Sequence, residues 1–304
     1  MTHARPAVTE INLLSYLSRP RRSALYMPAS NPRAVEKARG LPCDVVILDL
    51  EDAVLPDLKE IARADAVAAV KAGGFGRREV VIRVNGLSTP WGAADLAAAA
   101  EAGPDAVLAP KIRGPADVLA YDRALAGAPS HTRLWAMIET PQAIFALDAI
   151  AGTPSRLGGL TMGVNDLARE MGAVQTPRRE PFWGALAATV MAARAHGLAV
   201  LDGVHNEIDD LTALERVCRQ GVEFGFDGKS VIHPSHVPAC NTVFTPDAGE
   251  VAWGRAVIAA FEAPENAGKG ALRVEGRLAE LLHREIAQRL VSIADAIATA
   301  EAGA

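Results

Sequence analysis

Residues Arg133 to Arg169 read RLWAMIETPQAIFALDAIAGTPSRLGGLTMGVNDLAR, and the fold turns on how they are parsed. Two short apolar runs, LWAMI and GLTMGV, each lead to an acid: Glu139 directly after the first, Asp166 just beyond the second. Each run then gives way to a helical pattern, the mark of a β-strand feeding a helix through a loop at its C-terminal end. The acids stand twenty-seven residues apart, about one strand–helix unit, which places them at matching ends of neighbouring parallel strands. Such strands lie roughly 4.8 Å apart. Two carboxylates at that spacing can share a hard cation such as Mg²⁺, which takes one or two protein carboxylates plus water and substrate oxygens. The same residues also read as helix caps, since Asp166 can cap a helix and Thr140-Pro141 starts one unaided. Both readings stand on this stretch alone.

The rest of the chain narrows the setting. Its 304 residues are 50% hydrophobic and 22% charged, which is enough for one large α/β domain or two small ones. A formal charge of −5 gives no basic field for nucleic acid or an anionic membrane surface. Cys43, Cys218 and Cys240 are far apart and odd in number, with no metal-ligand spacing, so neither a disulfide framework nor a zinc site is expected. The opening MTHARPAVTEINLLSYLSRPRR lacks a signal-peptide layout, and no apolar stretch is long enough to span a bilayer, so the expected location is cytoplasmic.

Outward from the opening stretch, the same strand–helix unit repeats. SALYMPA, DVVILDLEDAV, EVVIRVNG and AVLAPK precede LWAMIE and GLTMGV; LAVLDGV and FGFDGKSVIHP follow them. Helical patterns fill the intervals. Eight such units in about 220 residues match a (β/α)8 TIM barrel in count and length. An open doubly wound sheet is the rival, but it carries a glycine-rich phosphate loop after its first strand, where this chain has PASNPR. The expected domains are therefore a barrel over residues 1–246 and a C-terminal helical lid or extension over 247–304.

The barrel explains where the polar residues fall. Asp49, Glu51 and Asp52 follow the second strand, Arg83 and Asn85 end the third, and Lys111 follows the fourth. Glu139 follows the fifth, Asp166 the sixth, and Asp202, His205 and Asn206 the seventh. All are predicted at C-terminal strand ends, the face where barrel enzymes keep their active sites. Acids for a divalent metal beside an arginine suit a small anionic substrate: the metal polarises an oxygen, while Arg83 grips a carboxylate or stabilises an oxyanion. Lys111 and Lys229 are also candidates for a Schiff base, but acidic neighbours favour a neutralising role for Lys111.

Seven fragments, RRSALYMPASNPRAVEKA, VVILDLEDAV, VIRVNG, LAPKI, AMIETP, MGVNDLA and FGFDGKSVIHPSHV, occur in this order. Together they resemble the citrate lyase β-subunit-like proteins of the HpcH/HpaI aldolase superfamily, relatives of malyl-CoA and citramalyl-CoA lyases. The resemblance runs from about Arg21 to Val243 and more weakly to Gly276. It implies a TIM barrel that assembles as a homo-oligomer, a trimer or hexamer, with a C-terminal extension reaching a neighbouring subunit. It implies that Glu139 and Asp166 bind Mg²⁺, with Glu139 also at the substrate. It makes Arg83 a catalytic residue that binds and polarises the keto acid, Arg22 a further substrate or CoA contact, and Glu51 and Asp52 the acids that organise the metal's water and the arginine. The implied reaction is Claisen-type cleavage of a small β-hydroxyacyl-CoA to acetyl-CoA and a 2-oxo acid.

The tail departs from the family pattern. Family members carry an Asp-Gly-Lys-like turn whose aspartate serves a neighbouring subunit as acid/base, where this chain has Glu275-Gly276-Arg277. Glu275 keeps the charge and adds a methylene, and misplacing a catalytic group costs on the order of 100-fold in rate. The plainer reading of Glu275 is a solvated residue beside a turn. Leu278, Leu281, Leu282, Ile286, Leu290 and Ile293 fall at helical spacing and predict a final helix with an apolar face to bury. Besides the lyase, the readings left open are a malyl-CoA-type thioesterase, a citrate lyase β subunit and an impaired paralogue that binds CoA esters.

Overall fold

The computed structural model describes residues 16–302. Strands of four to six residues in which nearly every side chain is buried fit a parallel sheet covered on both faces, and β2 (Val45–Asp49) and β4 (Ala106–Ala109) are buried throughout. The remaining barrel strands are β1 (Ser23–Pro28), β3 (Glu79–Arg83), β5 (Arg133–Ile138), β6 (Leu157–Met162), β7 (Ala199–Asp202) and β8 (Gly228–Val231). They close into one barrel in sequence order, every neighbouring pair parallel and β8 returning to β1. The expected (β/α)8 barrel is the architecture observed.

The connecting helices are α1 (Pro32–Ala38), α2 (Lys59–Ala72), α3 (Gly92–Ala102), α4 (Pro115–Ala124), α5 (Pro141–Phe145), α6 (Leu147–Ala151), α7 (Val164–Met171), α8 (Trp183–Ala195), α9 (Leu211–Phe224) and α10 (His236–Phe244). Local chemistry starts several of them. Thr140 caps α5 by accepting from the Ala143 N–H, with Pro141 at the first helical position, and Asp210 caps α9 through the Ala213 N–H. Strand alternation divides the interior in two. Residues such as Leu25, Val46, Leu48 and Ile82 face the helices, whereas Ala24, Ile47, Val81, Leu108, Trp135 and Met137 fill the barrel.

The chain divides into two compact units, the barrel over Arg21–Phe244 and a second unit that includes Thr245 onward. The second has its own small core of Val257, Phe261, Val274, Ala279 and Ala287. It contains α11 (Ala248–Glu262), an antiparallel hairpin of β9 (Ala271–Val274) and β10 (Arg277–Glu280), and α12 (Leu281–Ala302). The hairpin turns on two residues of positive φ, Glu275 at 48° and Gly276 at 84°, as the right-handed strand twist requires of a two-residue loop. The predicted apolar stripe is largely outside the core: Leu278, Leu281, Leu282 and Ile286 are 65%, 49%, 52% and 61% exposed on the single chain. α12 instead buries Ala287, Val291 and Ile297. No helix among the described residues is long and apolar enough to cross a membrane.

Candidate active site

Alternation along the strands decides which side chains enter the mouth of the barrel. Tyr26, Asp49, Arg83 and Glu139 share parity with the interior residues Ala24, Ile47, Val81 and Met137, so each points inward at or just past a C-terminal strand end. Arg83 is fixed by Asp49, with Nε donating to Oδ1 at 2.7 Å and Nη2 to Oδ2 at 2.6 Å, and it stacks 4.8 Å over the Tyr26 ring. Asp49 is itself held by the backbone N–H groups of Glu51 and Ala53. Burial opposes the charge on Arg83, but the Asp49 carboxylate outweighs it and holds the guanidinium firmly protonated.

Arg83 Nη1 is left facing the loop after β2. Glu51 Oε2 lies 2.9 Å from it and Asp52 Oδ2 3.8 Å. Glu51 Oε2 is buried without an aligned hydrogen bond, and burial lifts this carboxyl to about 7. Asp52 is largely exposed. The loop itself is pinned from below by Lys59, buried on α2, whose ammonium donates to the carbonyls of Leu50 and Glu51 and to Asn85 Oδ1 at 2.7–2.8 Å. Asn85 in turn donates to the Leu50 carbonyl and to Asp95.

Across the mouth, Glu139 and Asp166 meet on one ammonium. Lys111 Nζ is 3.4 Å from Glu139 Oε1 and 2.5 Å from Asp166 Oδ2, and the Lys111 backbone N–H donates to Glu139 Oε1 at 2.6 Å. Lys111 holds φ at 55° to make both contacts, a conformation disfavoured for any residue with a Cβ. Burial raises Glu139 to about 8 against the pull of Lys111. Burial also opposes charge on Asp166, but hydrogen bonds from Lys111 and Glu139 hold its pKa low. Gly163 provides the room: a Cβ there would lie 2.5 Å from Glu139 Cβ and 2.7 Å from Oε2.

This donor set fits Mg²⁺. Glu139 and Asp166 offer hard carboxylate oxygens around one cationic point, and two carboxylates are what Mg²⁺ ordinarily takes from protein. No group of three or more His, Cys, Asp or Glu side chains placed to hold a metal ion occurs among the described residues. The caps reading holds only for Thr140, since Asp166 turns its carboxylate to Lys111 and to Arg169 on its own helix.

Of the residues singled out from sequence, Arg83, Glu51, Asp52, Glu139 and Asp166 converge. Arg22 does not. It precedes β1 at the N-terminal end of the barrel, where it clamps Asp44 through Nε and Nη2 at 2.9 and 3.0 Å and is 4% exposed. A residue at the opening of a strand lies a strand's length from the catalytic mouth, so the expected substrate contact at Arg22 is corrected to a structural ion pair. Glu275 belongs to the second unit, at the hairpin tip. Asp202 is turned away into a buried group with Arg179 and Lys229, which also removes Lys229 as a Schiff-base candidate. Lys59 and Tyr26 went unnoticed in the sequence; the two-residue step from Ala24 identifies Tyr26, whereas nothing local marks Lys59.

Comparison with known proteins agrees with the barrel fold. The family model described as HpcH/HpaI aldolase/citrate lyase matches residues 22–234. A "(3S)-malyl-CoA thioesterase" of Cereibacter sphaeroides is 43% identical over 94% of this chain and 98% of its own length. An "L-malyl-CoA/beta-methylmalyl-CoA lyase" of the same organism is 33% identical over 92% and 96%. Among solved structures, Mycobacterium tuberculosis CitE in complex with magnesium, acetoacetate and coenzyme A matches with a TM-score of 0.73 and 28% identity, over 91% of this chain and 99% of that one. The chain belongs to the HpcH/HpaI aldolase/citrate lyase family.

Proposed function

We propose that this member of the HpcH/HpaI aldolase/citrate lyase family is a Mg²⁺-dependent enzyme acting on a small β-hydroxyacyl-CoA, and that it hydrolyses a malyl-CoA-type thioester. The placement of the Glu139–Asp166 pair opposite the Asp49-held Arg83 supports the substrate class. It offers a hard-cation site and a fixed guanidinium on two sides of one small anionic ligand. The choice of hydrolysis rests on the greater similarity to malyl-CoA thioesterases, 43% against 33% for the lyases.

Glu139 and Asp166 would hold Mg²⁺, which would supply Lewis acidity toward the substrate's oxygens. Arg83 Nη1, the one nitrogen not engaged by Asp49, then donates to the oxygen that gains charge. Glu51 is the general base, its carboxyl held near 7 by burial and so poised to take a proton at neutral pH. It removes a proton from water as the oxygen adds to the thioester carbonyl. The C–S bond breaks, and the proton passes to the departing CoA sulfur, giving the free hydroxy acid and CoA.

The second reading is the carbon–carbon lyase. It is favoured by the same Glu51–Arg83 contact, because a base beside a carbonyl-polarising arginine equally removes the C3 hydroxyl proton and releases a 2-oxo acid. That route also requires an acid to protonate the acetyl-CoA enolate, a role that falls to Glu275. We further propose a homo-oligomer in which the exposed Leu278–Ile286 stripe is covered, checked by light scattering of the purified protein and of Leu282→Glu.

One assay separates the readings. Purified protein with Mg²⁺ and malyl-CoA is followed by chromatography of all CoA species and acids, with Asp166→Ala as control. Free CoA with an equal amount of malate, lost in the variant, supports hydrolysis. Acetyl-CoA with an equal amount of glyoxylate replaces it with the lyase. No turnover of malyl- or citramalyl-CoA overturns the substrate class.

A further inference from the structure

Behind the loops that follow β6 and β7 lies a cavity of about 410 Å³, lined by residues that the proposed chemistry does not use. Beneath it sits a buried charge that does not balance. Asp202 is fully buried and accepts from Arg179 Nη1 at 2.7 and 2.9 Å and from Lys229 Nζ at 3.0 Å. Lys229 is also fully buried, and Arg179 is 8% exposed. No other carboxylate pairs with either cation among the described residues, so two buried cations share one anion. An uncompensated buried charge is costly, and proteins ordinarily pair it.

The surplus points at the cavity. Arg179 lines it, and its Nη2 is buried with no hydrogen-bond partner, while Nε is taken by Gln220. Arg179 reaches this position from a backbone φ of 58°. His205, on the same wall, has a buried Nε2 without an aligned hydrogen bond, 3.4 Å from Glu207 Oε2. Arg216, exposed on α9, supplies a second cation to the lining. Val164 and Phe182 provide apolar wall. Of the lining carboxylates, Asp210 caps α9, and Glu207, 69% exposed, reaches His205 from the solvent side and is displaced by a ligand there.

We infer that this cavity binds a small organic dicarboxylate, one carboxylate on Arg179 Nη2 and His205, the other on Arg216, with its carbon chain on Val164 and Phe182. An anion there completes the Arg179–Asp202–Lys229 group and gives the free guanidinium N–H a charged acceptor. The apolar wall selects an organic acid over inorganic phosphate. The lining shares no residue with the Glu139–Asp166–Arg83 mouth, so the inference does not depend on which reaction the enzyme performs.

The test is calorimetric titration of metal-free, full-length protein with succinate, with inorganic phosphate as the comparison ligand. Saturable one-to-one binding of succinate is expected, weakened about tenfold or more in Arg179→Gln and also weakened in His205→Ala and Arg216→Gln. Arg83→Ala is expected to bind as the parent does. Circular dichroism establishes that each variant is folded, and the His205 and Arg216 variants leave the buried Asp202 pairing in place. Absence of succinate binding, phosphate binding as tightly as succinate, or loss of binding in Arg83→Ala with retention in the other variants would each overturn the inference.

Discussion

At the N-terminal end of the barrel the Arg21 guanidinium donates to Glu79 and the Arg22 guanidinium to Asp44. At the C-terminal end Asp49, Glu51 and Asp52 crowd around Arg83, while Glu139 and Asp166 share Lys111. The residue types are the same and the burial is similar, but at the C-terminal end several carboxylates share one cation. The crowded end holds carboxyl groups displaced to about 7 and 8 and one guanidinium nitrogen free of its main partner. That contrast separates a structural end from a reactive one more sharply than charge content does, because unequal pairing is what a cation or an anionic substrate can repair.

The sharpest way to break the comparison is to remove one acid from each end. Glu139→Ala is expected to lower kcat/KM by roughly 10³-fold or more with little change in Tm. Glu79→Ala is expected to remove the buried carboxylate held by Arg21 Nε and Nη2 at a cost of about 3–5 kcal/mol, read by denaturant unfolding, with kcat retained in the folded fraction. A large activity loss from Glu79→Ala at full stability would erase the distinction. Next comes Arg83→Lys, which keeps the charge but cannot reproduce the two-point hold on Asp49; kcat/KM should fall about 100-fold in steady-state assays, with the fold intact.

A smaller effect concerns pH. Glu51 and Glu139 are raised from 4.5 to about 7 and 8, so the folded, metal-free protein binds these protons more tightly than the unfolded chain. Stability from them is fully present below about 4.5 and is lost as pH rises through 7 to 8. Melting of the metal-free protein between pH 5 and 8 is therefore expected to shift downward with pH, and Glu51→Gln should flatten the first part of the slope. An unchanged slope in that variant would remove Glu51 from the displaced set.

Most of the fold was legible because a parallel barrel writes its strands as short buried runs, and VVILD or RLWAMI admits few other readings. The mouth was legible for a related reason: Glu139, Asp166 and Arg83 sit where those runs stop. What escaped depends on direction and distance. Arg22 belongs to a strand's beginning, so motif membership put it in the site while geometry puts it at the other end. Lys59 reaches Glu51 from within a helix, and Arg179 reaches Asp202 from an irregular loop, contacts that no local periodicity encodes. The stripe on α12 was legible as a pattern, but its period does not say whether the surface that covers it belongs to the same chain.

The β9–β10 hairpin has a consequence for engineering. Its first loop residue, Glu275, occupies a left-handed conformation that asparagine or glycine adopts at lower cost. Glu275→Asn should accordingly raise the unfolding free energy by about 1 kcal/mol, measured by chemical denaturation, while deleting the carboxylate. A sturdier protein that turns over as before would make position 275 a free gain for a designer. A sturdier protein with lost turnover would reveal a stability–activity trade-off confined to a single side chain, with conformational comfort given up to keep an acid at the end of a ribbon.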